Sequence, residues 1–167
     1  SVMEPMLRPQ GFENAKVAAV AEYEIDANWK LVWENNRECY HCNANHPQYI
    51  RANFDHFNAD DTPPRVQRII DETVRASHEK WSAQGLAISH AQSGMTYFPD
   101  AANNIWYSAN RTVLSERWIT ESVNGERVAP LMGSYEAEDV GTLRTRTMPN
   151  MWCHASCDHV AATRLLP

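Results

Sequence analysis

At 167 residues the chain is long enough for one domain and too short for two comfortable ones, and 43% hydrophobic with 22% charged residues excludes a disordered chain. A net charge of −6, with Lys and Arg scattered, leaves no basic stripe to meet phosphates and argues against a nucleic-acid binder. No apolar run is long enough to cross a bilayer and no secretory signal opens the chain, so the expected location is cytoplasmic.

Residues 1–20 read as a connecting segment, broken by Pro5, Pro9 and Gly11. Neither Ser1–Met6 nor Leu165-Leu166-Pro167 resembles a natural terminus, and a piece of a longer polypeptide, incomplete at both ends, is expected. Val17–Ile25 is a weak strand candidate. From Asn28 the pattern turns helical: Trp29, Val32, Trp33, Cys39 and Tyr40 form an apolar stripe, and Pro47 is expected to end the element. A second helix follows Pro63-Pro64, with Val66, Ile69, Ile70, Thr73, Val74 and Trp81 at helical spacing to about Gln84 and Gly85 as its stop. The chain then changes character. Met95–Phe98, Ile105–Ser108, Arg117–Val123 and Arg127–Met132 read as strands, with Asn124-Gly125 as a hairpin turn between the last two. Leu143–Met148, Met151–Ala155 and Val160–Leu166 continue the run. Helices first, then an antiparallel sheet: the expected class is α+β.

Chemistry concentrates between Asn28 and Pro47. Glu38 and His41 are three apart and would share a helical face. His46 lies five beyond His41, which a regular helix swings roughly 140° away. The two imidazoles converge only if the helix widens to a π-type turn or ends between them. Two neutral imidazoles and one carboxylate on one side of a metal, with open positions opposite, form the facial triad of non-haem iron(II) oxygenases. A competing reading uses the cysteines. Cys39, Cys42, Cys153 and Cys157 are of the type that holds structural zinc, which would make the chain a zinc-stabilised binding module without redox activity. The second pair has three intervening residues, and buried cysteine as a small hydrophobe also accounts for all four. Trp29, Trp33, Trp81, Trp106, Trp118 and Trp152 read mostly as core, with one or two available to face a cationic substrate.

The run Asn28-Trp29-Lys30-Leu31-Val32, then Glu34-Asn35, Glu38-Cys39-Tyr40-His41-Cys42 and His46-Pro47, resembles the catalytic domain of Rieske-type ring-hydroxylating oxygenase α-subunits. That family's motif, an acid, two residues, His, four residues, His, falls on Glu38, His41 and His46. Its third ligand is an Asp ahead of an Arg-Leu-x-Pro segment, which the resemblance carries onto Asp158, 158 − 46 = 112 residues on, before Arg164-Leu165-Leu166-Pro167. Asp100, Asp139 and His154 are the alternative third ligands.

The resemblance implies several further things. The fold is a START-like helix-grip, an antiparallel sheet with packed helices. Residues 1–20 connect to a Rieske domain absent from this chain, since no Cys-x-x-His exists here, and residues 21–167 are a partial mononuclear-iron domain. Fe(II) is held by His41, His46 and Asp158, with Glu34 and Asn35 supporting ligand geometry. Glu38 bridges to the 2Fe–2S Rieske cluster of a neighbouring subunit in a homotrimer. Electrons come from NAD(P)H through a separate reductase or ferredoxin, and the partners are O2 and a small-molecule substrate, not nucleic acid or membrane. Glu at position 38 is similar to the glycine betaine, carnitine and choline monooxygenases and stachydrine demethylase, which implies hydroxylation or oxidative N-demethylation of a quaternary ammonium compound. Most aromatic-ring dioxygenases of the family carry Asp there, and aromatic-ring dioxygenation is the alternative. A START-like carrier of lipid or small molecules is a further reading on the same scaffold. The piece alone is expected to be inactive.

Overall fold

The computed structural model describes residues 3–38, 41–53, 62–88, 107–115, 117–147 and 150–166. Within them the chain forms five α-helices and two short 3-10 helices (Arg8–Gln10 and Phe12–Asn14), and then four strands. The first helix, α1 (Glu4–Leu7), takes Pro5 in its opening turn, where a missing N–H costs nothing. It is no free linker. Met6 is buried against Ala109, Leu143 and Ala155, and buried Gln10 donates from Nε2 to the Ser156 carbonyl at 2.7 Å. The strand expected at Val17–Ile25 does not form: these residues join no sheet, and Val17 and Tyr23 are 81% and 84% exposed. Without a partner ladder an isolated strand has nothing to satisfy its backbone.

Helix α2 (Trp29–Arg37) starts where Asn28 accepts a hydrogen bond from the Lys30 amide at 3.0 Å. Trp33 is buried on its inner face and meets Trp152 at 5.9 Å between ring centroids. The expectation for Pro47 needs correction. Proline does not end an element there; it opens α4 (Pro47–Ala52), directly after the single-turn α3 (Cys42–Asn45). At the first helical turn its fixed φ helps rather than breaks. Helix α5 (Pro64–Ala83) runs as its spacing predicts, with Gly85 at φ +71° past its end. Its fully buried Trp81 donates Nε1–H to the Asp139 carbonyl at 3.0 Å.

The strands β1 (Tyr107–Thr112), β2 (Thr142–Thr147), β3 (Met151–Ala155) and β4 (Val160–Arg164) form one antiparallel sheet in that order. The expected Met95–Phe98 strand lies outside the described residues, as do Ile105 and Trp106. Arg117–Val123 and Arg127–Met132 are not strands, and this is a second correction. The Asn124-Gly125 turn exists, with Gly125 at φ +80°, but the Ile119 and Thr120 amides both point at the Gly125 carbonyl instead of building a ladder. The other donors of this segment are committed elsewhere: Glu121 N to Ser156 Oγ, Val128 N to Asp158 Oδ2, Met132 N to the Cys157 carbonyl. A connection that bonds to the β3–β4 turn has no amides left for a hairpin.

Strand alternation divides the sheet. Ala109, Leu143 and Ala155 face α1 and the core. Arg144 lies opposite His154 in register, and Arg146 opposite Trp152, on the other face. That face is covered by α2–α4, through Trp33 on Trp152 and Tyr49 beneath the Arg144 guanidinium, 5.2 Å from the ring centroid.

Candidate functional site

Between α2–α4 and this second face lies a cavity of about 540 Å³. The helices contribute Asn35, Asn36, Glu38, His41, Cys42, His46 and Tyr49; the sheet contributes Arg144, Arg146 and His154. Its volume is within the range of small-molecule sites, roughly 300–1,000 Å³.

The two histidines reach the cavity because the helix breaks twice. Glu38 is extended, at φ −96° and ψ 161°, so α2 stops before it. His41 then caps α3 and His46 stands between α3 and α4, at φ −128° and ψ 56°. The five-residue spacing is thus absorbed by a one-turn helix with an imidazole at each end. No π-turn is needed, and Glu38 lies beyond the end of α2 rather than on a helical face shared with His41. The rings stand 5.1 Å apart between centroids, nearly perpendicular at 80°. Glu38 Oε1 is 2.8 Å from His41 Nδ1. With Nδ1–H donating to that carboxylate, Nε2 keeps its lone pair for a metal.

Asp158 is not brought to this pair. Its carboxylate is enclosed in the turn between β3 and β4, where Oδ1 accepts from Thr120 Oγ1 and lies beside His159 Nδ1, each at 2.8 Å. Oδ2 accepts from the Val128 amide at 2.7 Å. Burial works against its ionisation, but these donors prevail and hold its pKa below the usual carboxylate value. Asp158 is not among the described residues lining the cavity, and no group of three or more His, Cys, Asp or Glu stands together for a metal among the described residues. Two imidazole donors therefore fit an iron; a complete triad with Asp158 is not assembled. Of the alternatives, Asp100 lies outside the described residues, Asp139 pairs with Lys80, and His154 shares the cavity wall. Asn35 lines the cavity, and the described lining does not include Glu34.

The zinc arrangement finds no support in the cysteines. Cys39 lies outside the described residues, Cys42 lines the cavity, Cys153 meets Thr145 Oγ1 at 2.9 Å, and Cys157 packs with Tyr135 and Val140. Burial, then the adjacent Asp158 charge, pushes the Cys157 thiol up to about 12, as for a buried small hydrophobe.

Arg144, Arg146 and Tyr49 are cavity residues that reasoning from sequence passed over. The usable sign was alternation: Leu143 and Thr145 are buried, so Arg144 and Arg146 share the opposite face of β2. Beneath them, Glu121 is 3.2 Å from His154 Nδ1 and 3.8 Å from Arg144, and accepts from Asn53 Nδ2 at 3.1 Å. Burial opposes the Glu121 charge, yet His154, Arg144 and Asn53 together keep its pKa low. A depressed carboxylate contributes stability that is present above its unfolded value, about 4.3, and lost as pH falls through the folded one. Glu121→Gln is expected to cost about 1–2 kcal/mol at pH 7, with the gap to wild type closing below about pH 4. Urea unfolding of the intact protein across pH 3–7 measures this; a gap that stays constant would contradict the ionic role.

Residues 12–167 match the family described as ring hydroxylating alpha subunit (catalytic domain). The chain is 32% identical over 168 residues to the glycine betaine monooxygenase oxygenase subunits of Pseudomonas aeruginosa strain UCBPP-PA14 and Chromohalobacter salexigens, covering all of this chain and 36% and 35% of theirs. It is also 32% identical over 82 residues to the carnitine monooxygenase oxygenase subunit of Acinetobacter baumannii, 48% of this chain and 18% of that one. The chain therefore spans about a third of the length of the glycine betaine relatives. It belongs to the ring-hydroxylating oxygenase α-subunit family and lies in its catalytic domain.

Proposed function

We propose that His41 and His46 hold a mononuclear Fe(II) in this cavity and that the protein hydroxylates or oxidatively N-demethylates a small polar molecule with O2. The observation that carries this reading is the imidazole pair, 5.1 Å apart, with Glu38 engaged at His41 Nδ1. Iron supplies the O2 chemistry; the chain supplies position, polarity and enclosure. Glu38 fixes the His41 ring and sets which nitrogen faces the metal. The same carboxylate carries the coupling to a Rieske cluster, in a head-to-tail trimer fed from NAD(P)H by a reductase or ferredoxin. Asp158 can serve as third donor only if the β3–β4 turn releases the bonds from Thr120, Val128 and His159. A helix-grip arrangement is the architecture this reading takes for the complete domain.

The described lining is rich in polar side chains, which suits a polar substrate. Arginine, asparagine and histidine dominate the wall, and Tyr49 is its one phenyl-type ring among the described residues. The relatives named for glycine betaine and carnitine point to quaternary ammonium substrates.

Metal analysis of the intact protein after anaerobic reconstitution tests the proposal: iron is expected at one per subunit beyond the two of each cluster. Oxygen uptake should respond to glycine betaine or carnitine and not to naphthalene or benzoate. Zinc in place of iron, or uptake driven only by the aromatic compounds, overturns it. Glu38→Gln is expected to keep that iron while multi-turnover activity falls by roughly 100-fold, the upper range for losing a partner of a metal-bound His. Iron loss in that variant contradicts the coupling role.

A further inference from the structure

We propose that His154, oriented by Glu121, passes protons from a second, outward-opening pocket into the cavity that holds His41 and His46. The need for protons rests on the proposed function, while the path is read from the geometry of the wall. The second pocket has a volume of about 220 Å³ and is bordered by Gln48, Val123 and Ala161, all exposed, so it opens to solvent. Water occupies about 30 Å³ per molecule in the liquid, which leaves room for several. Tyr49 and His154 line both this pocket and the larger cavity, so their side chains form the partition between the two.

Glu121 stands on the outer side, in the lining of the second pocket. Its Oε2 lies 3.2 Å from His154 Nδ1, and the Tyr49 ring packs on the imidazole at 6.0 Å between centroids. Among the described residues the His154 ring makes no other hydrogen bond, so Nε2 is the nitrogen available for exchange. Burial opposes the Glu121 charge, but His154, Arg144 and Asn53 keep the carboxylate ionised. Arg144 faces the pair too, opposite His154 in register and 3.8 Å from Glu121. His159, the other imidazole of the second pocket, is engaged by Asp158.

Hydroxylation consumes RH, O2, two electrons and two protons, and yields ROH and H2O. The electrons arrive through the reductase; substrate filling the cavity displaces bulk water, so the protons need a side chain that borders both spaces. The His154 imidazolium releases its Nε2 proton into the cavity, toward the oxygen atom that leaves as water. The ring is then neutral, with Nδ1–H on the Glu121 carboxylate, which favours recharging. Water of the second pocket returns the proton, and a second passage completes the stoichiometry.

Nitrogen-15 NMR of the metal-free intact protein, labelled at histidine, tests the pairing without any turnover. Above about pH 8, where an ordinary imidazole is neutral, the His154 signal should show its proton on Nδ1. A proton on Nε2 alone, or a tautomer indifferent to Glu121→Gln, overturns the inference. In the reconstituted enzyme, His154→Gln is expected to keep the mononuclear iron and to lower kcat by about 100-fold, and Glu121→Gln by about 10-fold, at or below the lower end of what a positioned acid contributes. Added imidazole should restore part of the rate of His154→Ala, which a purely structural role would not allow. Undiminished kcat in the variants, no recovery with imidazole, or iron loss in His154→Gln overturns the relay, the last by making His154 a ligand. Should the His154 variants fail to fold, Glu121→Gln carries both readouts. Absent oxygen uptake in wild type counts against the oxygenase reading instead, and leaves the NMR result readable.

Discussion

Replacing either His41 or His46 by alanine is expected to remove the mononuclear iron from the intact protein while leaving the Rieske iron and the fold in place. In the proposed reading the pair supplies two of the three protein donors a facial triad needs. Losing even an outer partner of a metal-bound His typically costs 10–100-fold in affinity, so losing the donor itself should exceed 100-fold. Neither ring is part of the core: His46 is exposed and His41 half-buried, at the two ends of the single-turn α3. The metal-free melting temperature should accordingly shift little. Iron quantitation and thermal melting of metal-free samples check both halves. Full iron retention in His46→Ala would remove the pair from the metal site and with it the observation on which the oxygenase reading stands.

The proximity of Glu38, His41 and His46 was legible in the sequence because it is set at short range. Glu38, His41 and His46 converge because Pro47 and the break after Arg37 leave His41 and His46 flanking one turn, and those breaks are local in origin. The sheet was legible at Met151–Ala155 and nearly so at Leu143–Met148, where alternation is strong. Long-range bonding defeated the rest. Arg117–Met132 has strand-forming residues and a good turn, yet its amides bond to Ser156, Asp158 and Cys157 across the fold. Residues 1–20 read as linker, but Met6 and Gln10 find buried partners more than 100 positions away, which no local pattern encodes. Asp158 belongs to the same class. A motif placed it near the histidines, whereas three bonding partners, two of them 30 and 38 positions distant, hold it in the β3–β4 turn.

Asp158→Ala discriminates between those two roles, and the structural one is expected to show first. The carboxylate is fully enclosed, and its removal leaves the Val128 amide and the Thr120 hydroxyl without their acceptor. Thr120 is buried whereas Val128 is exposed, and an orphaned buried donor costs about 1–3 kcal/mol, so metal-free stability at pH 7 should fall by about 2–3 kcal/mol. The pH profile adds an independent signature. Because the folded-state pKa is depressed, the stabilisation is present above the unfolded value, about 3.9, and is lost as pH falls through the folded one. Wild type should lose stability on acidification, the variant much less, and the two curves should approach each other. Asp158→Asn, which keeps one acceptor oxygen but faces Val128 N–H with a second donor, should lie between them. If metal-free unfolding is the same in all three proteins while iron is lost only in the variants, Asp158 is a ligand and the turn must open to present it. If the variants are destabilised without metal yet hold iron at low temperature, Asp158 is the clasp that fixes residues 120–128 against the sheet, and the iron takes its carboxylate from elsewhere.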